Sequence, residues 1–345
     1  MPIQTFANRV SKNENLTYEQ MLQASELMFN DETPKDEIAD FLIALKLKGE
    51  TAEEVAALAT VMKSYALPLD LPEGNYLDNC GTGGDGLKTF NISTTSAFVL
   101  AANGVSVVKH GNRKISSASG SSDVLQALGI HTNFTISDSI ELFNQEGITF
   151  LYAPNVHPKL KRIGEVRRSI GKPTIFNMVG PLTNPANLTT QLVGINRPDF
   201  VRDYAEVLHI LGRKRAVVVS GTQGMDEASL DQENTLALLE NGDIHSFTVD
   251  MQTLGLTPAP ITALRGGNPD ENAVILRDLL NGKHSAYFDA VLLNSSLALF
   301  AYGKVESIQE GVDLARESIL SGKALAKLEA VIQYSQDILK ERTLQ

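Results

Sequence analysis

Beyond residue 70 the sequence alternates between short strand-like runs and helical segments, and this alternation restricts the fold more than any other feature. We predict strand-to-loop units starting at residues 76–78, 105–108, 216–219 and 290–293. Such alternation is typical of an α/β domain with a mainly parallel central sheet. Ligands of open α/β sheets bind beyond the carboxyl ends of the strands. We therefore expect the loops after these strands to converge on one crevice.

The first 70 residues carry helix signals instead. Thr17 precedes Gln20, and Thr51 precedes Glu54, at the spacing of a capping box. A third helix start is predicted by Thr33 as the cap with proline after it. Apolar residues at helical spacing follow these starts: Ile38, Phe41, Leu42 and Leu45 up to Gly49, then Val55, Leu58, Ala59 and Met62.

Two domains are therefore predicted, with the proline-containing residues 67–72 as the boundary. Residues 1–70 form a small helical domain. Helices near residues 160–185 are candidates for additional members of that domain. Residues 71–345 form the α/β domain.

Composition excludes several classes of function. The chain has 345 residues, 43% of them hydrophobic, with a net charge of -11 and one cysteine, Cys80. This is enough apolar material for a large core, whereas the acidic balance argues against a broad nucleic-acid face. No intrachain disulfide can form, and neither a signal peptide nor a membrane span is predicted. We expect a cytoplasmic protein.

The strongest functional signal is the loop Gly81-Thr82-Gly83-Gly84-Asp85-Gly86, which follows the first predicted strand. Glycines allow the backbone to approach a diphosphate, and Asn91-Ile92-Ser93-Thr94 opens a helix whose amides favour negative charge. The loop matches neither the dinucleotide nor the P-loop spacing. An anion cradle is predicted; the alternative is a tight structural turn.

A second polar loop follows residues 105–108. It places cations, an amide and hydroxyls together in Lys109-His110-Gly111-Asn112-Arg113-Lys114-Ile115-Ser116-Ser117, with Ser121 opening the next helix. This set suits a phosphate and a sugar. Solvated surface charge is the alternative for Lys109 and Arg113, and simple packing is the alternative for His110.

Adjacent carboxylates, Asp226 and Glu227, end the loop after residues 216–219. Oxygen ligands suit Mg²⁺, which bridges one or two carboxylates to substrate phosphates. We predict a magnesium site here, although acidic pairs on loops are also commonly just solvated. A separate basic run at residues 159–172 either attracts anionic substrates or is a solvated face.

Together these motifs resemble the anthranilate phosphoribosyltransferase family over nearly the whole chain. The resemblance also includes Thr174-Ile175-Phe176-Asn177 and Gly180-Pro181-Leu182-Thr183-Asn184-Pro185. It implies a helical domain that forms homodimers, an α/β domain of the nucleoside-phosphorylase type, and transfer of phosphoribose from phosphoribosyl diphosphate to the amine of anthranilate in tryptophan biosynthesis.

The resemblance also implies site residues. The magnesium ligands would be Ser93, Asp226 and Glu227, and anthranilate would contact Gly81, Asn112 and Arg167. Phosphoribosyl diphosphate would be held by Gly81, Gly84, Asp85, Thr89, Asn91, Ile92, Ser93, Thr94, Lys109, His110, Gly111, Asn112, Arg113, Lys114, Ile115, Ser116, Ser117 and Ser121. No residue is assigned a definite catalytic role, because electrostatics and positioning are expected to dominate; Lys109 and His110 are the candidates. The chain departs from the family pattern at Lys159, Leu160 and Pro173, near the expected acceptor entrance.

Two other functions compete with this interpretation. A pyrimidine nucleoside phosphorylase would share the architecture but has no use for the paired carboxylates. A nucleic-acid-binding protein could use the basic run, but the net charge disfavours it.

Overall fold

The computed structural model describes residues 1–112 and 119–344. Its helices there are α1 (Ile3–Val10), α2 (Tyr18–Phe29), α3 (Lys35–Lys48), α4 (Ala52–Ser64), α5 (Ile92–Ala102), α6 (Ser121–Ala127), α7 (Ile136–Glu146), α8 (Ala153–Val156), α9 (Leu160–Ile170), α10 (Val201–Ile210), α11 (Pro269–Leu280), α12 (Ala286–Tyr302), α13 (Ile308–Leu320) and α14 (Lys323–Leu344). The strands are β1 (Leu77–Asp78), β2 (Val107–Gly111), β3 (Ile148–Tyr152), β4 (Thr190–Gly194), β5 (Arg215–Ser220), β6 (Thr235–Glu240) and β7 (Asp243–Phe247). No helix in these residues is long and apolar enough to cross a membrane.

The N-terminal helices α1–α4 pack around the apolar residues that the sequence singled out, all of which are buried. The capping boxes at Thr17 and Thr51 are both formed. The third predicted cap is wrong, because Pro34 occupies the cap position of α3 and makes no side-chain cap. Its extended backbone, with ψ of 138°, delays the helix to Lys35.

The sheet has the order β3-β2-β1-β4-β5-β6-β7. The five strands from β3 to β5 are parallel, and β6 and β7 are antiparallel to their neighbours. From β1 the chain adds β2 and β3 on one side and β4 to β7 on the other, so the strand order reverses between β1 and β4. In open α/β sheets this switch point opens a crevice at the carboxyl ends of the strands.

Separate cores cover the two faces of the sheet because side chains alternate along each strand. In β5, Val217 and Val219 belong to the core that contains α5, α12 and α14. Ala216 and Val218 belong to the core that contains α10, α9 and the N-terminal helices. The helical domain thus shares one core with α10 and with the sheet face that carries Ala216 and Val218.

The prediction of a strand at residues 290–293 is wrong, because this segment lies inside α12. α12 is buried on nearly all sides, so its apolar run has no amphipathic period, and a short apolar run cannot be assigned to strand or helix from periodicity. Ser285 caps this helix by accepting from the backbone N–H of Phe288. A second difference is that β2 continues to Gly111, because it pairs with β3 as far as Tyr152. Lys109 and His110 are therefore strand residues.

Candidate active site

The glycine loop after β1 contacts the acidic pair after β5. The backbone N–H of Gly83 donates to Asp226 Oδ2 at 2.6 Å. A β-carbon on Gly81 would lie 2.3 Å from that same oxygen, so only glycine leaves room for the carboxylate. The loop is also joined to β4, because Thr82 N–H donates to the Gly194 carbonyl at 2.9 Å. Two of the predicted loops therefore meet at the switch point.

The second carboxylate of the pair reaches the start of α5. Ser93 N–H donates to Glu227 Oε1 at 2.9 Å. The structure thus brings together Ser93, Asp226 and Glu227, the three residues expected to hold magnesium. Asp226 and Glu227 are both half-buried at this position.

Three carboxylates are crowded at this point. Removal from water, and then the charge of Asp85, raise the pKa of Asp226 to about 7. Removal from water, and then the charge of Asp226, raise the pKa of Glu227 well above its ordinary value. Within the described residues, Asp85 Oδ2 is buried without a hydrogen-bond partner. A divalent cation would relieve this repulsion, so the donor set fits magnesium.

The protein would supply only part of the coordination sphere. In residues 1–112 and 119–344, no group of three or more His, Cys, Asp or Glu side chains is arranged to hold a metal ion by itself. Magnesium usually keeps several waters and adds substrate phosphates to one or two carboxylates. Two carboxylates and one serine are a donor set of this type.

Lys109 is linked through Asn79 to the start of α5. Its side chain is buried, with 2% of the residue exposed, and Nζ donates to Asn79 Oδ1 at 3.0 Å. Asn79 in turn donates through Nδ2 to the Ser93 carbonyl at 2.9 Å. Because Lys109 is buried and fixed, the alternative of a solvated surface charge is wrong for this residue.

The expected phosphate residues Thr89, Asn91, Ile92 and Thr94 lie in or just before the first turn of the same helix. Asn91 donates to the Ser119 carbonyl at 3.2 Å and accepts from Asn272 Nδ2 at 2.9 Å. Ile92 and Thr94 are buried, and Thr94 Oγ1 has no hydrogen-bond partner among the described residues. Thr89 pairs with Arg265 in an isolated bridge just before α5. Gly84 adopts a φ of +84°, which favours glycine.

The end of β2 approaches the start of α6. Ser121 Oγ donates to the Asn112 carbonyl at 3.2 Å, and a β-carbon on Gly111 would lie 2.3 Å from that hydroxyl. The remaining residues predicted for this loop lie outside the described residues: Arg113, Lys114, Ile115, Ser116 and Ser117.

Arg167 on α9 contacts the segment of residues 174–185. Its Nη2 donates to Asn177 Oδ1 at 3.4 Å, and its guanidinium lies 5.8 Å from the centre of the Phe176 ring. Partial burial lowers the pKa of Arg167 from its ordinary value. Three residues beyond Asn177, the Gly180 carbonyl lies 3.3 Å from His110 Nδ1. The segment therefore connects Arg167 to the end of β2.

His110 packs against another buried imidazole. The His110 and His157 rings are 5.2 Å apart and nearly perpendicular. Burial, and then His157, lower the pKa of His110 to about 3. His110 is therefore a weak base, and its Nε2 is buried without a hydrogen-bond partner among the described residues.

Comparisons with known proteins identify the family. Residues 4–66 match the helical bundle domain of the glycosyl transferase family, and residues 73–325 match its a/b domain. The anthranilate phosphoribosyltransferase of Listeria monocytogenes serotype 4a is 53% identical over 331 residues, covering 96% of this chain and 98% of that protein. The Bacillus cereus enzyme of that name is 48% identical and covers 97% and 98%.

This chain belongs to the anthranilate phosphoribosyltransferase family. Solved members of the family share its fold. The Thermus thermophilus enzyme superposes with a TM-score of 0.90 at 38% identity, covering 96% of this chain and 99% of that one. The Saccharomyces cerevisiae enzyme, solved in complex with PRPP and Mg, gives 0.88 at 27% identity, covering 97% and 98%.

The basic run at residues 159–172, which includes α9, contacts the helical domain. Lys159 Nζ lies 3.8 Å from the centre of the Tyr65 ring, and Arg162 donates to the carbonyls of Asn30 and Thr33. These cations are engaged in packing between elements. Lys161, Arg168 and Lys172 of the same run are exposed, so the run is part packing contact and part solvated face.

Sequence reasoning assigned no role to Asp78, which links three segments of the site. This carboxylate is fully buried and accepts from Cys80 N–H at 3.1 Å, His110 N–H at 3.3 Å and Asn184 Nδ2 at 2.9 Å. Burial raises the pKa of Asp78. A carboxylate at the end of a buried strand was the available signal, but its partners lie up to 106 residues away.

Proposed function

We propose that this protein transfers the phosphoribosyl group of phosphoribosyl diphosphate to the amine of anthranilate, releasing diphosphate, in tryptophan biosynthesis. The observation that carries the proposal is the convergence of the glycine loop and the start of α5 on Asp226 and Glu227. Relatives support the two substrates, because the Saccharomyces cerevisiae enzyme was solved with PRPP and Mg and also with 4-fluoroanthranilate.

In this proposal Ser93, Asp226 and Glu227 hold magnesium. The ion, when bound, neutralises charge on the departing diphosphate. Thr82 N–H and Gly83 N–H already donate to Gly194 and Asp226, so the amides of residues 84–86 and the ammonium of Lys109 are the chain's own contribution to binding that group. The residues at the start of α5 and in the loop after β2 hold the ribose and its 5-phosphate.

Positioning and electrostatics then supply most of the rate acceleration. Arg167 orients the acceptor through its carboxylate, because a planar guanidinium pairs with two carboxylate oxygens at once. Gly81 and Asn112 complete the acceptor site. The aryl amine is already neutral near pH 7, so no strong general base is required, in agreement with the lowered pKa of His110.

We also propose a cytoplasmic homodimer that forms through the helical domain of residues 1–70. On α3, Leu47 is 82% exposed and Ile43, one turn earlier, is 42% exposed. Large apolar side chains that share one face of a surface helix favour a protein partner. A second copy of this chain would cover them.

The test is a fluorescence assay of the purified protein. Loss of anthranilate fluorescence on addition of phosphoribosyl diphosphate, dependent on magnesium, is the expected result. The same protein should not release base from pyrimidine nucleosides in the presence of phosphate. Phosphorolysis without any consumption of anthranilate would replace this proposal with the phosphorylase function.

A further inference from the structure

The loop that follows the acidic pair is held by the side chain of Asn294 on α12. Asn294 Oδ1 accepts from Ala228 N–H at 2.9 Å, and its Nδ2 donates to the Ala228 carbonyl at 2.9 Å. Ala228 directly follows Glu227 in the chain. One side-chain amide thus binds both peptide groups of the residue next to the carboxylates.

Asn234 binds the next residue in the same way. Its Oδ1 accepts from Ser229 N–H at 2.8 Å, and its Nδ2 donates to the Ser229 carbonyl at 3.0 Å. Both asparagines are buried, with 3% of Asn294 and 2% of Asn234 exposed. The two amides satisfy backbone groups that a neighbouring strand would otherwise satisfy.

The backbone of Glu227 also packs closely against Gly221. A β-carbon on Gly221 would lie 2.4 Å from the Glu227 carbonyl oxygen. The acidic pair is therefore fixed by close backbone packing on one side and by the asparagine amides on the other.

Asn294 lies in a mostly apolar, buried helix and is followed there by Ser295 and Ser296. A buried amide is unfavourable unless its hydrogen bonds are formed. Here Nδ2 also donates to the Ala290 carbonyl at 2.9 Å, so the side chain is oriented by its own helix toward the loop. The orientation of the amide is therefore set by α12 as well as by Ala228.

We propose that Asn294 is a positioning residue for Asp226 and Glu227, acting through Ala228, with Asn234 as a second support. The inference rests on the proposed function, because it takes the acidic pair as the magnesium-holding carboxylates. Partners that orient metal ligands affect metal affinity without touching the ion. Asn294 would set the direction of both carboxylates before substrate arrives.

The test uses the full-length protein with Mn²⁺ as probe and inorganic diphosphate present, free Mn²⁺ being followed by electron paramagnetic resonance. Asn294→Leu removes both hydrogen bonds to Ala228, and Asn294→Ser is a milder variant should the first fail to fold. Leu299→Ala is the control, since it removes a buried side chain from the same helix.

We expect Asn294→Leu to weaken Mn²⁺ binding about 10- to 100-fold and Asn294→Ser to weaken it less. The half-saturating magnesium concentration for activity should rise, while the KM for anthranilate stays unchanged. Leu299→Ala should lower thermal stability with Mn²⁺ affinity intact. Normal Mn²⁺ affinity in both Asn294 variants, or an equal loss in the Leu299 control, would overturn the inference.

Glu227→Gln separates this inference from the proposed function. If wild-type protein binds Mn²⁺ no better than Glu227→Gln, the metal assignment itself fails. If Glu227→Gln loses the ion while the Asn294 variants keep it, only the positioning role fails.

Discussion

A β-carbon on Gly194 would lie 1.6 Å from the carbonyl oxygen of Asp226. Gly194 ends β4, and the absence of a side chain lets the loop after β5 cross directly over it. The same glycine accepts a hydrogen bond from Thr82 N–H in the glycine loop. This backbone contact is what places the acidic pair against the glycine loop at the switch point of the sheet.

Gly194→Ala should therefore disable the site. The obstructing atoms are backbone atoms, so the added methyl must displace Asp226, and a shift of about 1 Å lowers kcat about 100-fold. Steady-state kinetics with anthranilate and phosphoribosyl diphosphate measures the loss. The control is Gly311→Ala, whose β-carbon would lie 2.9 Å from Ser296 Cα. It should lower Tm and leave kcat nearly unchanged; a comparable kcat loss would point to general unfolding.

Replacing the acidic pair should harm turnover much more than replacing the buried histidine. We expect Asp226→Ala combined with Glu227→Ala to lower kcat/KM about 1,000-fold, because charge stabilisation of the diphosphate is lost. His110→Ala should cost less than about 10-fold, since a general base contributes about 100-fold or more. Initial rates at saturating magnesium distinguish the two. A larger loss in the histidine variant would refute the electrostatic mechanism.

Arg167→Lys should raise the KM for anthranilate about 10-fold or more. An ammonium cannot pair with both carboxylate oxygens as the guanidinium does. The KM for phosphoribosyl diphosphate should stay unchanged, which separate titrations of the two substrates would show. Arg168→Lys, at the exposed neighbouring position, is the matched control. Equal effects of the two variants on both substrates would remove Arg167 from the acceptor site.

Acid should destabilise the fold through His157. Burial lowers the pKa of this imidazole to about 4, from 6.5 in the absence of the fold. Below about pH 6.5 the unfolded chain binds a proton at this imidazole, whereas the native protein binds it only below about pH 4. The free energy of unfolding therefore falls as the pH falls through this window. The free energy of unfolding should drop by about 2 kcal/mol between about pH 7.5 and pH 5 on this account.

Urea unfolding of His157→Gln at both pH values tests the assignment, because its loss on acidification should be smaller by that amount. The exposed His245→Gln variant should behave like the wild type. An unchanged pH dependence in His157→Gln would place the acid sensitivity elsewhere.

Leu47→Glu should convert the proposed homodimer to monomers. A charge at this position cannot be buried against a second copy without a large desolvation cost. Sedimentation velocity measures the change, and helicity by circular dichroism should be retained because Leu47 is 82% exposed. Val274→Glu, on the α/β domain and 59% exposed, should leave the oligomeric state unaltered. A wild-type protein that is already monomeric would contradict the dimer proposal.

The local elements could be predicted where both hydrogen-bond partners lie close together in the sequence. The capping boxes at Thr17 and Thr51 formed as expected, because their hydrogen bonds join residues only three positions apart. The glycine loop followed a strand and preceded a helix, as its composition indicated. The segment 290–293 was predicted incorrectly because a uniformly apolar run carries no period from which strand and helix can be distinguished.

The sequence alone determined which groups are available: a glycine-rich loop, a helix start rich in hydroxyls, a lysine, and two adjacent carboxylates. Only the tertiary structure decided that they meet, that Lys109 is buried on Asn79, and that Asp78 links segments far apart in the chain. The reason is physical. Cap and turn preferences act over a few residues, whereas the order of strands and the close approach of Gly194 to Asp226 depend on how the whole sheet packs between its two cores.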